Sequence, residues 1–145
     1  MHYEGSFEVA APKEKVYAFV TDPAQVTSIF PDAQDLRVVG ADTFSLKVKV
    51  GVSFIRGVMD VKMTFVERRP PAYAKMHAKG SGMSSTVDLE NAFTLEDRPG
   101  GGTVVRWTAD AKVGGLMANV GSRMMDTVSA KYVKEIIGAL NAKLS

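Results

Sequence analysis

Apolar and polar residues alternate along most of the chain up to Val113, and the period then changes. From His2 to Val9, Tyr3, Phe7 and Val9 share one face, which predicts a strand. Val16, Phe19 and Val20 follow at helical spacing, behind a proline at position 12 that suits a first helical turn. Thr21-Asp22-Pro23 ends that helix, and Asp22 suits the cap of a second short one over Ala24 to Ile29. Leu36 to Val39 reads as a strand. Further alternating runs cover Phe44 to Val50, Met59 to Phe65, Tyr73 to Ala78, Val87 to Leu95 and Val105 to Val113. Glycine- and proline-rich breaks separate them.

From Gly114 to Ser145 the step becomes four. Leu116, Val120, Met124, Val128, Tyr132, Ile136 and Leu140 form one stripe, which predicts a helix of about 28 residues, roughly 42 Å long. Such a helix needs a surface to pack on. The order is a strand, two short helices, six strands and one long helix. Short turns favour antiparallel pairing, and alternation implies one covered and one wet face. The expected architecture is α+β, a curved antiparallel sheet wrapped around the C-terminal helix, with residues 1–145 as a single domain.

The inward faces carry the candidate chemistry. Met63, Met76, Phe93 and Trp107 on strands, with Met117, Val120 and Met124 on the helix, are expected to line an apolar ligand site. Asn91 falls in phase with Val87, Leu89 and Phe93, as a polar handle for a ligand or as a group satisfied by backbone or water. The chain has 8 methionines, residues that fill irregular gaps and also line adaptable surfaces, so a filled core competes with a cavity. Ala118 and Gly121 make the start of the helix thin. Val52 and Phe54, with Ser53 between them, and Leu116 are expected to form an apolar rim, as an entrance or as ordinary strand-end packing.

Composition removes several classes. A net charge of +2, without basic residues interleaved with aromatics, gives no footing for nucleic acid. No cysteine is present, so disulfides, thiolate metal sites and lipidated cysteines are excluded. The N-terminus lacks the pattern of a signal peptide, and no apolar run reaches the length of a membrane span. A cytoplasmic protein, touching a membrane only peripherally, is expected. His2 and His77 fall on outward phases and assemble no metal site. No nucleophile elbow, phosphate loop or nucleophile–base pair is evident, so a non-catalytic role is favoured over an enzyme.

The succession of elements resembles the helix-grip domains of the START-like (SRPBCC) superfamily over the whole chain. A narrower resemblance is to the CoxG-like family, the G subunit of carbon monoxide dehydrogenase. It rests on Gly5-Ser6-Phe7, Ala11-Pro12 and the run Val16 to Pro23, then Phe30-Pro31, Gly51, Gly57 and Pro70-Pro71-Ala72-Tyr73. Gly80-Ser81-Gly82 and Gly102-Thr103 continue it. Its most specific part is Val113 to Arg123, similar to that family's G-x-L-A-x-x-G-x-R entry into the last helix.

The resemblance implies an accessory protein of a carbon monoxide dehydrogenase-type molybdenum hydroxylase, with a part in membrane recruitment and in passing electrons to a quinone. Many members carry a C-terminal extension that meets the membrane. This sequence ends with the helix at Ser145, a departure that puts stable membrane anchoring of that kind in doubt. Three readings stand: a module holding a lipid or quinone with no covalent cofactor, a cyclase- or dehydratase-type enzyme on the same fold, and a ligand-free protein-docking module.

Overall fold

The computed structural model describes residues 1–52 and 54–144. Its strands are β1 (His2–Val9), β2 (Ala33–Val38), β3 (Thr43–Val52), β4 (Ile55–Arg69), β5 (Tyr73–Gly82), β6 (Ser85–Asp97) and β7 (Thr103–Gly115). The helices are α1 (Lys13–Val20), α2 (Pro23–Thr27) and α3 (Ser122–Leu144), with a 3-10 turn at Leu116–Asn119. All seven strands form one antiparallel sheet in the order β1-β7-β6-β5-β4-β3-β2. Consecutive strands are hairpin neighbours except β1, which crosses to the far edge and pairs along its full length with β7. The architecture is the expected α+β helix-grip fold.

Local chemistry explains the short elements. The Asp22 carboxylate accepts from the backbone N–H of Ala24 at 2.9 Å and of Gln25 at 3.3 Å, and Pro23 opens α2 where no N–H is needed. In β4 a bulge between Phe65 and Glu67 leaves Val66 outside the ladder and exposed, and shifts the register against β5.

The long helix begins later than its apolar step suggests. The β6–β7 ladder continues through Thr86↔Gly114 and Ser85↔Gly115, so the residues before Leu116 are strand. Gly115, at φ 73° and ψ −147°, then reverses the chain into the 3-10 turn. Val120 is extended, Gly121 precedes the helix, and α3 starts at Ser122. Leu116 and Val120 therefore continue the step of four without belonging to α3. Ser145, the last position of the expected helix, lies outside the described residues, as does Ser53.

Two apolar clusters close the two ends of the sheet. The larger joins Phe44, Phe65, Phe93 and Leu95 to Val16, Tyr17 and Phe19 of α1 and to Leu140 and Leu144 of α3. The smaller joins Val52, Ile55 and Met59 to Met117 and Val120. Val61 packs at the edge of both. Along α3 only Leu140 and Leu144 are fully buried, while Val128, Tyr132 and Ile136 are half-buried.

Candidate ligand-binding groove

The register shows what faces the helix between the two clusters. Phe44, Met63, Ala78, Leu89 and Ala111 form one inward row across β3 to β7. Leu46, Val61, Gly80, Val87 and Val113 form the next. Phe65, Met76, Asn91, Ala109 and Tyr3 form a third, reaching β1. Small residues at 78, 80, 109 and 111 stand on this face among Val61, Met63, Met76, Val87 and Leu89. Cover also falls off across the sheet: Phe44 is 0% exposed, whereas Leu89, Asn91, Trp107 and Ala111 are half-buried. The floor is partly covered: Ala78 and Ala109 are buried, and Met59 packs over Gly80, its Sδ 3.3 Å from where a Cβ would stand.

A cleft of about 770 Å³ lies between β1 and α3. Tyr3 and Trp107 line it from the sheet, and Ser129, Val133, Lys134 and Ile137 from the helix. The Trp107 indole lies across Gly5, where a Cβ would come within 2.9 Å of its Cζ2. Glycine in this edge strand thus makes room for the indole.

One tyrosine ties α3 to each flank of the sheet. The Tyr3 hydroxyl donates to Asp126 Oδ1 at 2.8 Å, and the Tyr132 hydroxyl to the Lys49 carbonyl at 3.4 Å. Burial raises the Tyr3 phenol above its ordinary pKa, against a hydrogen bond with Ser129, and the Asp126 carboxylate adds to the rise. Burial first, then Asp32 and Glu135, raises Tyr132 as well. Both phenols stay protonated at neutral pH and remain donors. Tyr3→Phe removes the first tie, and a loss of about 1 kcal/mol is expected. The check is hydrogen exchange of the first turns of α3, roughly fivefold faster in the variant. Unchanged exchange there would show that the bond holds nothing in place.

The expected site residues divide among these regions. Met63, Met76 and Phe93 are inward but buried in the larger cluster, and Met117 and Val120 belong to the smaller one. Trp107 stands at the cleft, cross-strand from Phe93. Asn91 is inward, between Met76 and Ala109, and its Nδ2 donates to the Thr108 carbonyl at 3.2 Å. Its carboxamide oxygen is left to accept from water or a ligand.

Met124 departs from expectation. It is 43% exposed, because the late start of α3 shifts the first turn off the sheet. Val52 is no part of an open rim. It is 3% exposed, since Gly51 stays in the ladder and Val52 pairs with Ile55 inside the smaller cluster. Phe54, at 70%, and Leu116, at 44%, are exposed.

The pattern missed the β1–α3 cleft. Tyr3 in phase with Phe7, and a glycine inside a strand, were its only traces. Tyr17 packs edge-on to Phe93 with ring centroids 6.4 Å apart, and its buried hydroxyl lacks a hydrogen-bond partner among the described residues. Burial pushes that phenol's pKa up, against the charge of Arg68 and the nearby Arg69 backbone. It is a packing residue of the closed end.

The histidines face outward. His2 Nδ1 lies 2.6 Å from Asp110 Oδ1, a bond that raises its pKa, and His77 pairs with Asp88 at 3.4 Å. Among the described residues no three His, Cys, Asp or Glu side chains converge as metal ligands, and no helix is long and apolar enough to cross a membrane.

Solved structures share this fold. A conserved protein from Geobacillus kaustophilus is similar at a TM-score of 0.92 and 22% identity, over 99% of this chain and 95% of that one. A START superfamily protein from Mycobacterium smegmatis gives 0.75 at 13% identity, over 99% and 96%. A protein from Thermus thermophilus gives 0.72 at 12% identity, over 99% and 97%. At such identities the likeness is one of fold. No curated protein matches the sequence. The sequence model of the CoxG family, described as the G subunit of carbon monoxide dehydrogenase, matches residues 5–145.

Proposed function

The chain belongs to the CoxG family, that of the carbon monoxide dehydrogenase G subunit, and from that premise we propose that it is a non-catalytic binding module for an apolar, lipid- or quinone-like molecule. The ligand lies between the sheet and α3, and the module is accessory to a carbon monoxide dehydrogenase-type molybdenum hydroxylase. The observation that carries this reading is the cleft between β1 and α3, with Trp107 on the sheet side and Val133 and Ile137 on the helix side. The cleft volume of about 770 Å³ lies within the span of about 300–1,000 Å³ usual for small-molecule sites. Each methylene that enters the groove contributes about 0.8 kcal/mol.

Within this reading, Trp107 and Asn91 contact the ligand in the groove. Met63, Met76 and Phe93 shape its closed end, and Met117 and Val120 the other. Phe54, Leu116 and Met124, exposed near the smaller cluster, offer apolar contact to a membrane surface from which such a ligand is drawn. An enzyme on this fold needs an acid or base inside the groove. The ionisable groups lining the cleft, His2, Tyr3, Glu4, Asp126 and Lys134, stand at its mouth; Tyr3 already donates to Asp126, and His2 pairs with Asp110 on the outer face.

The test is native mass spectrometry of the chain purified from its own source, followed by solvent extraction. A co-purifying apolar molecule in the mass range of a lipid or isoprenoid quinone is expected, together with uptake of a short-chain quinone by protein stripped of it. Bare protein from repeated preparations that also takes up no quinone would end the reading.

A further inference from the structure

The outer face of the sheet holds a second cleft, of about 490 Å³, between β2 and β5. Four cations line it, Arg37, Lys47, Lys62 and Lys79, against two carboxylates, Asp35 and Asp60. Lys47 and Asp60 neutralise one another at 3.3 Å. Among the described residues, Arg37, Lys62 and Lys79 have no ion-pair partner within 4 Å. Lys62 and Lys79 also sit directly opposite each other on β4 and β5. Like charges directly opposite on one face of a sheet repel and weaken the pairing. On its other side Lys79 faces Asp88 of β6 in register, but that carboxylate lies 3.4 Å from His77; Lys75 pairs with Glu90 and Arg106 with Glu96.

We propose that this cleft is the docking site for a short carboxylate-rich segment of a partner protein. Arg37, Lys62 and Lys79 lie on one cross-strand row of the cleft, with Ser45 between the first two, and a guanidinium matches a carboxylate bidentately. The hydroxyl-bearing Ser45 and Ser81 line the same cleft, and Val58, 42% exposed on the outer phase of β4, adds an apolar contact beside it. Charge layout selects the class of partner. A membrane or nucleic acid presents a continuous lattice of phosphates. That lattice would meet Asp35 and Asp60 inside the cleft and Asp88, Glu90 and Glu96 along adjacent β6. A short acidic segment confined to the cleft reaches the unpaired cations without covering Asp88, Glu90 and Glu96, and Lys47 already neutralises Asp60. The site lies on the opposite face from the groove, so an empty groove leaves this proposal standing.

The probe is a fluorescein-labelled hexaglutamate peptide, followed by anisotropy at low and moderate salt with the full chain. Binding is expected, weakening with salt, and falling at least tenfold in the double variant Lys62→Glu/Lys79→Glu. The paired reversal Lys15→Glu/Lys143→Glu, equal in net charge and away from the cleft, is expected to leave binding within twofold. Lys62→Glu alone places opposite charges across β4 and β5, so its Tm is expected to rise while binding falls. A purely structural role for Lys62 would move both in one direction. Four results would overturn the proposal: no peptide binding; equal loss in the control reversal; phosphatidylglycerol vesicles binding through Lys62 and Lys79 without competition from the peptide; or a dimer of the chain that the same double variant dissociates.

Discussion

Gly115→Ala is expected to cost about 3 kcal/mol or more, because the backbone at this point accepts no side chain. Its φ of 73° and ψ of −147° lie where residues other than glycine are strained. A Cβ there would stand 2.1 Å from the Ser84 carbonyl oxygen and 2.9 Å from Ser85 Cα. Both are backbone atoms of the facing hairpin and have no rotamer through which to yield. Relief would require the end of β7 to leave β6. That movement would also break the bonds from Leu116 N–H to the Ser84 carbonyl, 2.9 Å, and from Met117 N–H to Ser85 Oγ, 3.0 Å. Ser85 is 4% exposed, so its hydroxyl would lose a partner in a dry place. Met117 and Val120 would then leave the cluster they form with Val52, Ile55 and Met59. Denaturant unfolding gives the size of the loss. Hydrogen exchange gives its place, with protection falling further around Ile55 and Met59 than around Phe44. Gly114→Ala is the comparison: its Cβ would meet only the Thr86 hydroxyl, a group that can rotate. Equal stability for Gly115→Ala and the natural chain would refute the account of this hinge.

That hinge also marks where the sequence pattern stopped being readable. Strand faces were legible because alternation needs only local information, so Phe44, Met63, Met76 and Phe93 are inward as their phase requires. Asn91 was legible as inward for the same reason. The start of α3 was not, because Leu116, Val120 and Met124 keep a step of four through a strand end, a 3-10 turn and a helix. The β6–β7 ladder decides where the helix begins, and a ladder is a tertiary fact. Val52 was misplaced on similar grounds. Gly51 looked like a break, yet it pairs with Arg56 and lets the hairpin close over a buried valine.

The groove's mouth was the least legible feature. Tyr3 meets Ala109, and Gly5 meets Trp107, only once β1 has crossed to the far edge of the sheet. The opposition of Lys62 and Lys79 was equally hidden. Each reads alone as an outward lysine, and only the register between β4 and β5 sets them face to face. The family resemblance covered what periodicity could not, naming the fold and the accessory role. It said nothing about which flank opens.

Ala111→Phe is expected to lower occupancy by a short-chain quinone at least tenfold, about 1.4 kcal/mol, with little change in folding stability. Ala111 ends the inward row that begins at the fully buried Phe44, and it is itself half-buried. On the proposed reading, a phenyl group added there enters the ligand's space rather than packed core, so the strain that usually follows overpacking is largely absent. It takes the volume a ligand would use, beside Leu89 and one row from the Asn91–Ala109–Tyr3 line that leads to the cleft. Stability and occupancy therefore separate, which distinguishes a ligand groove from a core with slack. In a filled core, Ala111→Phe would lower Tm by several degrees, and no ligand signal would exist to lose. On a ligand bound at the outer face or on the rim, it would leave occupancy unchanged. Quinone uptake measured by fluorescence quenching of Trp107, the single tryptophan of the chain, reads the outcome directly, since that indole lines the cleft. Full quenching in Ala111→Phe at the concentrations that quench the natural chain would place the ligand elsewhere.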